Sequence, residues 1–210
     1  MSSPLPRLVV LVSGYGSNLQ AVIDACRDGR IPAKVVAVFS NRKDAYALER
    51  ARQAGISAVT VTKPRELDRR LYDHVCQEQV AAYQPDWIVL AGWMRILSSE
   101  FLDRFPNRVI NLHPALPGTF PGADAIQRAF EAFQAGAIQH TGVMVHLVPD
   151  EGVDCGPVLG QETVPILTGD TLESLAARVH AVEHRLLVEV LQKVVAHPPT
   201  EPLRDLNLDK

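Results

Sequence analysis

Leu8-Val9-Val10-Leu11-Val12-Ser13-Gly14-Tyr15-Gly16-Ser17-Asn18-Leu19-Gln20 is an apolar run that breaks into a glycine-bearing turn and continues into a helical pattern. That order, strand then tight turn then helix, recurs along the first half of the chain. Short β-branched runs at Leu8 to Val12, Val35 to Phe39, Ala58 to Val61, Trp87 to Ala91 and Val109 to Leu112 are separated mostly by longer amphipathic stretches. Parallel strands need crossover connections of this kind, so the pattern predicts an α/β fold: a mostly parallel twisted sheet with helices on both faces. Past residue 112 the rhythm changes. A Pro/Gly-rich loop, Pro114 to Gly122, precedes a helix of about 13 residues. Two further strands are predicted near Gly142 to Val148 and Pro157 to Val164, then a long helix from about Thr171 to Val195. Asp170 as N-cap with Glu173 three residues on resembles a capping box.

With 210 residues the chain is read as one domain, 1–210, and the tail 198–210 as loose. Hydrophobic residues are 47% and charged residues 21%, a globular balance. The net charge of -3 has no basic block behind it and aromatics are only 6%, which argues against a nucleic-acid partner. The run Leu8 to Val12 is far short of the roughly 20 residues of a membrane span or of a signal peptide's apolar core, so no membrane partner and a cytoplasmic location are expected. Cys26, Cys76 and Cys155 are odd in number and widely spaced, which suits reduced thiols better than a disulfide frame or structural zinc.

The glycine turn has two readings on its own residues. It is a plain strand-to-helix turn, or the place where a backbone without side chains approaches an anion at a helix N-terminus. Leu19 stands where a dinucleotide fingerprint needs its third glycine, and no Gly-Lys-Ser/Thr follows, so the binding reading narrows to a monophosphate.

Arg108-Val-Ile-Asn111-Leu-His113-Pro114 ends the fifth strand with two polar side chains on one face, since alternate residues of a strand point the same way. A lone His there serves as general acid or base, as metal ligand or as a satisfied structural residue. A second polar cluster, Asp150-Glu151-Gly152-Val153-Asp154-Cys155-Gly156, follows the strand that contains His146. A carboxylate beside an imidazole favours the imidazolium, and an Asn amide donates to a developing oxyanion. Together Asn111, His113 and Asp154 suit acyl transfer. There is no Gly-x-Ser-x-Gly elbow for a serine hydrolase. No metal site is expected, and His180 and His184, four apart on the last helix, are read as solvated on its outer face. On that same helix Glu183 falls about 20° from Leu172, inside the apolar stripe, so it should meet a polar ligand or a buried salt-bridge partner.

Six segments in order, Ser-Gly-Tyr-Gly-Ser-Asn-Leu-Gln at 13–20, Val-Phe-Ser-Asn at 38–41, Glu-Arg-Ala-Arg-Gln-Ala-Gly-Ile at 49–56, Leu-Ala-Gly-Trp-Met-Arg-Ile-Leu at 90–97, Ile-Asn-Leu-His-Pro-Ala-Leu at 110–116 and Asp-Glu-Gly-Val-Asp-Cys-Gly-Pro-Val at 150–158, resemble the phosphoribosylglycinamide formyltransferases. These folate-dependent enzymes formylate glycinamide ribonucleotide in purine synthesis. The resemblance spans about residues 7–195. It implies the family's Rossmann-like formyltransferase fold, with a nucleotide-binding half at about 7–105 and a catalytic and folate-binding half at about 106–195. It implies 10-formyltetrahydrofolate as formyl donor and no metal. It assigns Gly16, Ser17 and Asn18 to the substrate phosphate, Glu183 to the ribose, and Asn111, His113 and Asp154 to catalysis, with His113 kept protonated by Asp154. Folate binding falls to Met94, Arg95, Ile96, Leu97, Asn111 and Arg69, with Arg70 as rival to Arg69. The chain departs from the family after His113-Pro114, where Ala115-Leu116-Pro117-Gly118 replaces the commoner Ser-Leu-Leu-Pro.

Two relatives share the Asn/His/Asp core. Methionyl-tRNA formyltransferase carries a C-terminal RNA-binding barrel, whereas only about 15 residues follow the last helix here. Formyltetrahydrofolate hydrolase carries an N-terminal regulatory domain, whereas the first strand here starts by Leu8. A non-catalytic nucleotide-binding module would explain the glycine turn and the sheet but not the polar residues. A monomer or homodimer is expected.

Overall fold

The computed structural model describes residues 4–63, 66 and 68–197; the tail 198–210 read as loose lies outside them. Seven strands form one sheet in the order β3-β2-β1-β4-β5-β6-β7. They are β1 (Arg7–Leu11), β2 (Lys34–Ser40), β3 (Ser57–Thr60), β4 (Trp87–Leu90), β5 (Val109–His113), β6 (His140–Leu147) and β7 (Val158–Pro165). The first five pair in parallel. β6 runs antiparallel to both β5 and β7, so the predicted mostly parallel sheet carries an antiparallel margin. The helices are α1 (Ser17–Arg27), α2 (Tyr46–Gln53), α3 (Arg69–Ala81), α4 (Ser99–Arg104), α5 (Ala125–Gln134) and α6 (Leu172–Val194).

Strand alternation sorts the core onto the two faces. Leu8, Val10, Trp87, Val89, Ile110 and Leu112 join the α1, α2 and α6 side. Val9, Leu11, Ile88, Leu90 and Val109 join Tyr72, Phe101 and Leu102 of α3 and α4. Because strands buried on both faces have no polar side, β1 and β4 read as continuous apolar runs rather than alternating ones.

The chain leaves β1 in one direction across the sheet and returns to β4 on its other side. Between them lies the switch point where open α/β sheets bind ligands, at the carboxyl ends of the strands. Here the two loops are tied together: the Ser13 N–H donates to the Gly92 carbonyl (2.9 Å), and the Met94 N–H donates to Ser13 Oγ (2.8 Å). β5 is the next strand over, and it delivers Asn111 and His113 to the same edge.

The last helix corrects its predicted cap. Thr171, not Asp170, is the N-cap: its hydroxyl accepts from the Ser174 N–H (3.2 Å), and Ser174 Oγ accepts from the Thr171 N–H (3.0 Å). Asp170 is already engaged by Arg178 (2.8 Å) and by the Leu167 N–H (2.7 Å). Those bonds hold its carboxyl well below the usual carboxylate range. Glu173 therefore takes no part in the box. Helix α5 is also shorter than predicted, at 10 residues.

Candidate active site

β5 places Asn111 and His113 on one face, as the strand period requires, and the antiparallel register sets His146 of β6 directly opposite Asn111. Asp154 reaches the pair from a turn. Its backbone is left-handed (φ 53°), a conformation that Asp tolerates through its short polar side chain. Gly156 lets the turn close, since a Cβ there would overlap the Leu147 carbonyl.

The Asp154 carboxylate is the hub of this cluster. Oδ1 accepts from Asn111 Nδ2 (2.9 Å) and lies 3.5 Å from His146 Nε2. Oδ2 accepts from the Gly122 N–H (2.8 Å) and lies 3.2 Å from His113 Nδ1. Burial acts to raise its pKa, but the hydrogen bonds from His146 and the Gly122 N–H and the neighbouring His113 ring outweigh burial and hold the carboxyl below its ordinary value. Asn111 Nδ2 also lies 3.1 Å from His146 Nε2, while His146 Nδ1 lies 2.8 Å from the Leu147 carbonyl.

His113 corrects an expectation. The carboxylate stands beside it as predicted and favours the cation, but the ring is buried, and burial outweighs the Asp154 and Phe120 contributions. Its pKa is lowered from the ordinary histidine value, a shift toward the neutral ring rather than the protonated one. The charged acceptor takes the one available proton on Nδ1. Nε2 lies 3.1 Å from the Phe120 carbonyl, which can only accept, so that contact becomes a hydrogen bond when the ring takes a second proton. Arg128 fixes that stretch of the 114–122 loop by donating to the Phe120 (2.8 Å) and Pro121 (2.7 Å) carbonyls.

A cavity of about 640 Å³ is lined by this cluster and by Asn18 of α1 and His180 and Glu183 of α6. Glu183, buried as its place in the apolar stripe requires, accepts from Asn18 Nδ2 (3.3 Å) and from His180 Nδ1 (2.6 Å). The Glu183 bond raises the His180 pKa. His180 is thus exposed, as expected, but it also lines the cavity, and its Nε2 is the free ring nitrogen. Asn18 Oδ1 is buried without a partner in the chain. Gly16 and Ser17 start α1 beside the cavity but do not line it.

Met94 and Ile96 are exposed at the cavity, Leu97 is buried in its wall, and Arg95 lies 4.6 Å over the Tyr72 ring. Arg69 donates to the Leu97 carbonyl (3.2 Å) and to Glu151 Oε2 (3.1 Å), which points it at this wall; Arg70 is exposed. Among the described residues no group of three or more His, Cys, Asp or Glu could hold a metal ion. Sequence reasoning missed three wall residues: His146, visible only through cross-strand register; His180, three residues before Glu183 and so on its helix face; and Trp93, whose indole N–H is buried without a partner.

The family profile described as formyl transferase matches residues 6–191. The chain is 48% identical over 203 residues to phosphoribosylglycinamide formyltransferase of Schizosaccharomyces pombe, across 90% of this chain and 96% of that one. It is 45% identical over 179 residues to the Escherichia coli K12 protein of that name, across 85% of this chain and 82% of the other. The crystal structure of glycinamide ribonucleotide transformylase 1 from Symbiobacterium toebii matches with a TM-score of 0.86 at 43% identity, over 91% of this chain and 88% of that one. A glycine turn, an Asn/His/Asp cluster and a cavity of about 640 Å³ thus sit in a chain that belongs to the phosphoribosylglycinamide formyltransferase family.

Proposed function

We propose that this protein transfers the formyl group of 10-formyltetrahydrofolate to the amine of phosphoribosylglycinamide, giving the formylated ribonucleotide and tetrahydrofolate in purine synthesis. The observation that carries the reading is the Asn111/His113/Asp154 cluster in the wall of a cavity that Asn18, His180 and Glu183 also line. Gly16, Ser17 and Asn18 take the substrate phosphate and Glu183 the ribose. His180, with its raised pKa, adds a positive charge for the anion. Met94, Arg95, Ile96, Leu97 and Arg69 hold the folate. Functions are shared across the sequence halves 7–105 and 106–195, since both line the one cavity.

The substrate amine attacks the formyl carbon, forming a C–N bond and an oxyanion that Asn111 Nδ2 stabilises. Neutral His113 accepts the amine proton on Nε2. The resulting imidazolium lies against Asp154, which stays charged, and it adds its own N–H to the oxyanion's field. Collapse breaks the bond from the formyl carbon to the folate nitrogen, which takes that proton from His113. No bond to the protein forms. The supporting feature is that both Asp154 oxygens face donors of the cluster, so the carboxylate is pre-set for a charged His113 before the proton arrives.

With this function go a cytoplasmic location, a monomer or homodimer, and no nucleic-acid partner; among the described residues no helix is long and apolar enough to cross a membrane. The test is an assay of the purified protein with glycinamide ribonucleotide and 10-formyltetrahydrofolate. Stoichiometric tetrahydrofolate and formylated ribonucleotide are expected. Release of formate without ribonucleotide dependence would move the assignment to a hydrolase.

A further inference from the structure

The glycine turn is shaped from behind by α2. Two successive carbonyls of the turn face that helix: Gly14 O accepts from the Ala47 N–H (3.2 Å), and Tyr15 O accepts from Arg50 Nε (3.0 Å). In a planar trans peptide the carbonyl and the N–H point opposite ways. Holding these two carbonyls on α2 therefore aims the Tyr15 and Gly16 N–H groups away from it. Neither N–H has a hydrogen-bond partner among the described residues. Gly16 then turns left-handed (φ 78°, ψ 34°) against Ala47, and α1 begins without a side-chain cap on its free N–H groups. Successive N–H groups converging in this way form an anion-binding concavity.

The Ala47 bond is backbone, but the Arg50 bond is a choice of side chain. Arg50 is fixed on three sides: Nη1 donates to Gln20 Oε1 of α1 (3.1 Å), and the guanidinium lies 4.5 Å from the Tyr15 ring centroid and 4.9 Å from that of Tyr46. The two rings are themselves stacked at 5.2 Å, although Tyr15 is 68% exposed. An exposed aromatic pair sandwiched with one arginine costs side-chain freedom that nothing in the core requires.

We propose that Arg50 is a positioning residue for substrate phosphate: without touching the ligand, it orients the 15–16 peptide, and the tyrosine stack holds the guanidinium in register. This rests on the phosphate reading of the turn given above. The planar fork matters, not only the charge, because Nε and Nη1 must reach two elements at once.

The test measures the affinity of ribose 5-phosphate by calorimetry, and steady-state KM and kcat, for the wild type, Arg50→Ala, Arg50→Lys and Tyr46→Leu, with melting temperatures for each. Loss of one hydrogen bond predicts a roughly tenfold weaker ribose 5-phosphate affinity and a matching rise in ribonucleotide KM. For Arg50→Ala and Arg50→Lys alike, kcat and the folate KM should stay within about twofold on that same reasoning. Tyr46→Leu should show a smaller rise. Full recovery by lysine would reduce the effect to charge, an equal rise in folate KM would reduce it to general loosening, and unchanged ribonucleotide KM would remove it; each overturns the proposal. Should the wild type bind ribose 5-phosphate yet fail to transfer formyl groups, the functional reading falls while the calorimetric comparison still decides the role of Arg50.

Discussion

Two histidines that line one cavity stand beside buried carboxylates, and their pKa values shift in opposite directions. His113 Nδ1 is 3.2 Å from Asp154 with its side chain 5% exposed; His180 Nδ1 is 2.6 Å from Glu183 with its side chain 50% exposed. Burial lowers the first, and the hydrogen bond to Glu183 raises the second. A carboxylate neighbour alone does not decide the charge of an imidazole; the balance between its attraction and the lost hydration does. On the proposed function, the buried histidine offers a base for the amine proton and the wetter one a cation for the phosphate.

The sharpest way to break this contrast is at the buried histidine. His113→Ala and Asn111→Ala are expected to cut kcat by roughly 10² to 10³ or more with the ribonucleotide KM little changed, as removal of a base or an oxyanion donor does. Near-normal turnover of a folded His113→Ala protein would sink the catalytic reading. Gly156→Ala comes next. Its Cβ cannot coexist with the Leu147 carbonyl, so the Asp154 turn must shift, and kcat should fall by about tenfold or more, since geometry at the reacting centre is that sensitive. A melting temperature near wild type with full activity would show that the turn yields without moving Asp154.

The pH profile sharpens the contrast itself. His113 must be neutral to act, and its pKa lies below the ordinary value of about 6.5, so kcat should be lost only as pH falls through that depressed value. His180 must be charged to help, and its pKa lies above about 6.5, so ribonucleotide KM should climb as pH rises through that raised value. His180→Gln is expected to raise KM severalfold at pH 6, to flatten the alkaline climb and to leave the acid limb in kcat intact. An alkaline limb that survives the substitution belongs to the substrate amine or another group. The smallest effect is expected away from both histidines: Thr171→Ala removes the N-cap of α6 and should cost about 1 kcal/mol of stability, read from denaturant unfolding, with kcat unchanged.

Periodicity made much of this legible in the sequence. Spacing of two put Asn111 and His113 on one face, and spacing near 3.6 put Glu183 inward on α6; both hold because each depends on one element alone. The strand runs were likewise found within a few residues of their ends. What escaped needed two elements at once. His146 enters the site through its register against Asn111, and His180 through the seat of α6 over α1 beside Asn18. Asp170 looked like a cap until Arg178, two turns along, was seen to hold it. The downward shift of His113 escaped for the same reason: the sequence displays the partner, Asp154, but not how little water surrounds the pair.

By itself, then, the sequence determined which faces are apolar, where the chain turns and which polar residues cannot be explained by packing. These are local properties, set by backbone periods and by what each side chain tolerates. Only the tertiary structure decided protonation states, the orientation of the 15–16 peptide on α2, and which of several polar residues share the cavity. Desolvation and hydrogen-bond direction depend on atoms brought together from distant parts of the chain.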